Sequence, residues 1–83
     1  MQNNDKILRG RDLFYLKEQV IDLALVEDIE KIKELILHNC TIYNFSNITA
    51  ATSLKLVAIV DCNITSEDLS CLAKMEKLKT ITL

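Results

Sequence analysis

Three cysteines, one histidine and a few acidic pairs are the side chains of this 83-residue chain that could carry covalent, metal or acid–base chemistry. A thiolate nucleophile needs a base beside it, and the single histidine, His38, stands two positions from Cys40. Alternation along a strand sends His38 to the face opposite Leu37, with Cys40 beyond an irregular bend, so His38 reads as a surface contact rather than a base. Zinc would need further ligands at close spacing, and the sequence has no C-x-x-C pair. The odd cysteine count gives no disulfide framework, and Cys71 reads as a small packed side chain on a helix. Glu27 with Asp28, and Glu67 with Asp68, fall in charged helical starts and read as solvated faces. Gly10 is the only glycine, so a glycine-rich phosphate loop is excluded. The expectation is no catalytic residue, no metal, no cofactor and no small-molecule substrate.

Length allows one domain, in which apolar burial only narrowly exceeds conformational entropy. Apolar residues make up 49% of the chain, enough for a core, but aromatics are few and Trp is absent, so Leu and Ile must do most of the packing. A net charge of −2 argues against a freely diffusing nucleic-acid binder. Local cations remain. Lys6, Arg9 and Arg11 near the start and Lys74, Lys77 and Lys79 near the end flank an acidic middle from Glu18 to Glu34, a set consistent with RNA contact or with ordinary solubilising charge. No apolar run is long enough to cross a bilayer, and Met1 to Asp5 is polar rather than the lead into a signal core, so the chain reads as cytoplasmic or nuclear, with no membrane partner. On that reading the sequons at Asn39, Asn44, Asn47 and Asn63 are chemically silent.

The elements that position these side chains follow an apolar frame that occurs twice. Ile32, Leu35, Leu37, Cys40 and Ile42 fit L-x-x-L-x-L-x-x-C-x-L, and Leu54, Val57, Ile59, Cys62 and Ile64 fit it again twenty-two residues later. Leu78, Ile81 and Leu83 begin another copy. Strands are expected over Glu34 to His38, Leu56 to Val60 and Lys79 to Leu83, with helical turns near Glu27 to Lys31 and Ile48 to Ala51. Ser66 is a candidate N-cap for a helix through Met75 that turns Leu69 and Leu72 inward. Asp12 to about Ile21 reads as a helix capping the first rung, with Leu13, Leu16 and Val20 on one face. Alternatively Val20, Leu23 and Leu25 start an additional strand. The expected organisation is a mobile or extended segment over 1–11, a capping helical region over 12–31 and repeats over 32–83, incomplete at their C-terminal end.

Residues 32–83 resemble the leucine-rich repeat family, particularly short intracellular members such as the acidic leucine-rich nuclear phosphoproteins and the leucine-rich subunit of the spliceosomal branch-site particle. The resemblance implies an α/β fold: a minimal leucine-rich repeat solenoid with a short parallel sheet of about three strands, a helical N-terminal cap and convex helical segments. Cys40 and Cys62 then occupy the repeat position whose polar group meets the backbone of the neighbouring turn. Leu35, Leu37, Val57, Ile59, Ile81 and Leu83 point inward, which leaves Glu34, Ile36, His38, Leu56, Ala58, Val60, Thr80 and Thr82 on the outer, concave side. Ile36, Leu56, Ala58 and Val60 make an apolar patch there, and a partner contact through Ile36, His38, Leu56, Ala58, Val60, Thr80 and Thr82 is the binding site expected. The family implies protein or ribonucleoprotein binding without catalysis. Solenoids need about three repeats and polar caps, so two frames and a fragment suggest a structural subunit docked within a larger assembly, with a ribonucleoprotein such as the ribosome or spliceosome as one host. The alternative is a free adaptor or regulator that binds one protein through the concave face.

Overall fold

The computed structural model describes residues 7–83. In chain order its elements are β1 (Leu13–Lys17), β2 (Val20–Asp22), β3 (Glu34–His38), β4 (Thr41–Tyr43), β5 (Leu56–Val60), α1 (Ser66–Ala73) and β6 (Thr80–Thr82). Short 3-10 turns at Leu23–Leu25, Ile29–Lys31 and Phe45–Ala50 fill the return segments. The result is a small α/β domain with a four-stranded parallel sheet, ordered β1-β3-β5-β6, and a two-stranded parallel ribbon of β2 and β4.

Register explains why the apolar frame folds this way. Phe14, Leu35, Val57 and Ile81 stand side by side across the sheet, as do Leu16, Leu37 and Ile59, while Ile21 pairs with Ile42 in the ribbon. Side chains alternate along each strand, so these rows fall on one face and stack against the return segments, where Leu23, Ile29, Ile32, Phe45, Ile48, Leu54 and Leu72 are buried. Among the described residues the core holds no buried polar side chain. Ile81 keeps the inner side yet is 48% exposed, because β6 is flanked by one strand only; Leu83, expected inward, is also exposed.

Several expectations change. Asp12 to Ile21 is not a capping helix, and the main-sheet strand lies earlier than Val20, at Leu13–Lys17, so four strands replace the expected three and 12–31 contributes β1 to the sheet and β2 to the ribbon. Leu13, Leu16 and Val20 do fit a helical face, but a helix would turn Leu16 away from Phe14 and Ile21, whereas the strands stack all three on Leu35, Leu37 and Ile42. Glu18, at φ 55°, ends β1 in a left-handed corner that no helix can contain. The helix expected from Ser66 is present, but its cap is Thr65: its hydroxyl accepts from Asp68 N–H and the Asp68 carboxylate accepts from Thr65 N–H, both at 3.1 Å. Leu72 is buried under α1 and Leu69 remains 38% exposed.

Corners and edges recur from strand to strand of the main sheet. Glu18, Asn39 and Asp61 each follow a long strand with φ near +55°, and Glu18 N–H donates to His38 O while Asn39 N–H donates to Val60 O. At the opposite end of the strands a single carbonyl accepts two bonds from the next rung: Asp12 O from Lys33 and Glu34, Lys33 O from Lys55 and Leu56, and Lys55 O from Lys79 and Thr80. Gly10 has a close-approach role, since a Cβ there would run into the Asp28 carbonyl oxygen. That approach lets Gly10 N–H donate to Glu27 O at 2.6 Å.

Candidate interaction face

The face of the four-stranded sheet turned away from the core is built by alternation alone. Its central row runs Tyr15, Ile36, Ala58, Thr82; one neighbouring row is Leu13, Glu34, Leu56, Thr80, and the other is Lys17, His38, Val60. All eight residues expected on this face are on it, the seven of the expected contact among them. Ile36, His38, Leu56 and Ala58 are half-buried by their neighbours, Val60 is at the exposed limit, and Thr80 and Thr82 are open. The extra strand adds Leu13, 50% exposed, and Tyr15, 55% exposed, which enlarge the apolar patch. The helical reading of 12–21 missed them, and the twenty-two-residue period does not recover them: counted back from Leu35 and Leu37 it lands on Leu13 and Tyr15 themselves, and only the strand pairing, offset by twenty-one residues, turns Phe14 and Leu16 inward and Leu13 and Tyr15 outward.

The side chains with chemical potential are in structural use. Cys40 Sγ lies 3.6 Å from Leu16 O and 3.5 Å from His38 O, so it meets the His38 backbone and not its imidazole. Cys62 Sγ repeats the arrangement toward Leu37 O and Val60 O and accepts from Cys40 N–H at 3.3 Å, which links the two rungs through sulfur. All three cysteines are free thiols. Among the described residues no three His, Cys, Asp or Glu side chains gather closely enough to hold a metal ion, and no helix is long and apolar enough to cross a membrane.

The asparagines of the formal sequons brace the same stack. Asn39 occupies a left-handed corner, Asn44 Nδ2 donates to Asp22 Oδ1 at 2.9 Å, and Asn47 Nδ2 donates to Leu23 O at 2.8 Å. Asn63 both accepts from Ile42 N–H and donates to Ile42 O, and so continues the β2–β4 ribbon with a side-chain amide. Composition registered these residues as polar; only the register gives them partners.

The expected cation set does not stay together. Lys6 lies outside the described residues. Arg9 is held by Glu27 at 2.8 Å and lies 3.9 Å from Asp28, beside a parallel bridge between Arg9 and Glu27, so its charge is spent on pinning the N-terminal segment. Lys74 and Lys77 line a shallow recess with Thr49, Ala51, Leu54 and Met75 beyond α1. Arg11 borders a second recess at the strand starts, where Lys33 stands 3.9 Å from Asp12. Lys79 falls in the same edge as Lys33 and Lys55. Comparison with known proteins finds no matching family, no matching curated protein and no matching solved structure.

Proposed function

We propose that the chain is a non-catalytic interaction module, a short leucine-rich repeat solenoid that docks a protein partner on the open face of its parallel sheet. The observation that carries this reading is the unburied apolar patch of Leu13, Tyr15, Ile36, Leu56, Ala58 and Val60, contributed by three adjacent strands in register. An apolar patch of neighbours on a rigid sheet is a surface that gains by being covered, whereas isolated exposed apolar residues carry no such weight. The repeat reading is supported by the recurring corners, the doubled carbonyl bonds and the cysteines at equivalent rungs. The non-catalytic reading is supported by the structural engagement of Cys40, Cys62, Glu27 and Asp68.

The experiment is affinity capture from the native cells with the wild-type chain, Tyr15→Glu and Leu56→Glu, after checking that far-UV circular dichroism and melting are unchanged. Burying one such side chain in an interface is worth about 1.5–3 kcal/mol, so each charged substitution should remove the partner that the wild type retains. Retention of the same partner by both variants overturns the reading. A repeat with ribonuclease separates hosts: loss of the partner after RNA digestion identifies a ribonucleoprotein assembly, and its survival identifies a direct protein partner for the adaptor.

A further inference from the structure

Lys33, Lys55 and Lys79 are far apart in the chain and adjacent in the fold. The doubled bonds from Lys33 O to the Lys55 and Leu56 amides, at 2.8 and 3.2 Å, and from Lys55 O to the Lys79 and Thr80 amides, at 2.9 and 3.1 Å, stack the three residues rung upon rung. Strands lie about 4.8 Å apart, so the column spaces three lysines over roughly 10 Å along the strand starts, next to the outer row of Glu34, Leu56 and Thr80. All three residues are exposed, and among the described residues Lys55 and Lys79 have no ion-pair partner. Acidic groups are near: Asp12 faces Lys33 at 3.9 Å, and Glu34 lies beside Leu56 on the sheet. Neither pairs with Lys55 or Lys79. Like charges so stacked repel, on a chain whose net charge is −2, and an external anion would relieve that repulsion. The opposite edge differs: its left-handed corners carry Glu18, Asn39 and Asp61.

We propose, resting on the docking reading above, that the partner presents an acidic amphipathic helix, its apolar side on Tyr15, Ile36, Leu56 and Ala58 and its carboxylates along Lys33, Lys55 and Lys79. A helix laid along the stack repeats about every 5.4 Å, close to the rung spacing, so carboxylates three or four residues apart meet successive lysines. An extended strand repeats a given side every 6.6 Å or so and falls out of step. A single-stranded nucleic acid would need the wider cation set, of which Arg9 is paired with Glu27 and Lys74 and Lys77 lie at a separate recess beyond α1. The asymmetry of the two edges also fixes orientation, with the acidic flank toward the strand starts.

The test is selection of a random sixteen-residue peptide library on the immobilised wild-type chain. The enriched consensus is then measured by fluorescence anisotropy against the wild type, Lys33→Gln/Lys55→Gln/Lys79→Gln and Leu56→Glu. The proposal expects Asp or Glu at three- or four-residue spacing beside Leu or aromatic residues. The triple variant should weaken binding about tenfold or more, the sum of three exposed charge pairs, and added salt should weaken the wild type toward the same level. Leu56→Glu should abolish binding. A triple variant that binds unchanged while Leu56→Glu does not bind overturns the acidic partner and leaves the docking face standing. Unchanged binding by Leu56→Glu overturns the docking face, and the present proposal with it. Neutral or basic consensus peptides, no enrichment at all, or tighter binding of a twelve-nucleotide oligo-dT than of any selected peptide also overturns it.

Discussion

Replacing Val57 by Ala, and separately Leu56 by Ala, tests the orientation on which the interaction face depends. Val57 is fully buried, flanked in register by Leu35 and Ile81, whereas Leu56 next to it is half-exposed on the other side of the sheet. Val57→Ala deletes two methyl groups, about 1.6 kcal/mol of transfer free energy at 0.8 per group. A residual cavity of up to roughly 50 Å³ adds about 1 kcal/mol at 24 cal/mol per Å³, for a total of about 2–3 kcal/mol. Leu56→Ala deletes three carbons, yet from a side chain still partly in water, and should lose about 1 kcal/mol or less. Size alone would rank the two the other way round, so the order reports which way each residue points. Urea unfolding followed by circular dichroism, with the slope held common, reads both values. Against a total stability of about 4–12 kcal/mol for a chain of this length, the Val57 variant should also melt about 10–20 °C lower. If Leu56→Ala loses as much as Val57→Ala, the strand is turned over by one residue and the proposed face is the core.

The left-handed corner at Glu18 should relax on replacement by Gly, with a gain of about 0.5 kcal/mol in urea unfolding after the extra chain entropy of Gly is counted, while Asn39→Val in the equivalent corner should lose about 1 kcal/mol. The reverse order would show that the corners are not left-handed. Cys62→Ala leaves the Cys40 N–H without its sulfur acceptor and should lose about 1–3 kcal/mol, whereas Cys62→Asn supplies both acceptor and donor and should unfold near the wild type. Equal losses in the two Cys62 variants would remove the sulfur from any structural role.

Where the frame is filled by apolar residues, sequence and fold agree closely. Glu34–His38 and Leu56–Val60 are strands with the expected bounds, because Ile32, Leu35 and Leu37, and Leu54, Val57 and Ile59, can be buried together only if alternate residues face the same way. The first rung was illegible for two physical reasons. Arg11 and Gln19 stand where Ile32 and Cys40 stand one rung later, so two of five positions give no apolar signal. The remaining Leu13, Leu16 and Val20 satisfy the helical period as well as Phe14, Leu16 and Ile21 satisfy the rung. Only a neighbouring strand decides between them, and a neighbour is a tertiary fact. The ribbon of β2 and β4, three residues a side, is too short to leave any period at all.

The site divides along the same line. Alternation within one strand is local, so Ile36, His38, Leu56, Ala58, Val60, Thr80 and Thr82 could be assigned to the outer face before any strand was paired, and Leu13 and Tyr15 were lost with β1. Charge grouping is different in kind, because charges act through space. In the chain Lys79 belongs with Lys74 and Lys77, and Arg9 with Arg11; in the fold Lys79 joins Lys33 and Lys55 in one column, while Arg9 joins Glu27 and Asp28. Strands joined by segments of unequal length hide such a column from any fixed spacing. Its members become neighbours through the backbone carbonyls that stack them. Position within the rung, rather than nearness along the chain, therefore decides which cations a partner meets together, and that is why the lysine column, rather than the two terminal cation clusters, is the electrostatic feature that the triple lysine variant removes.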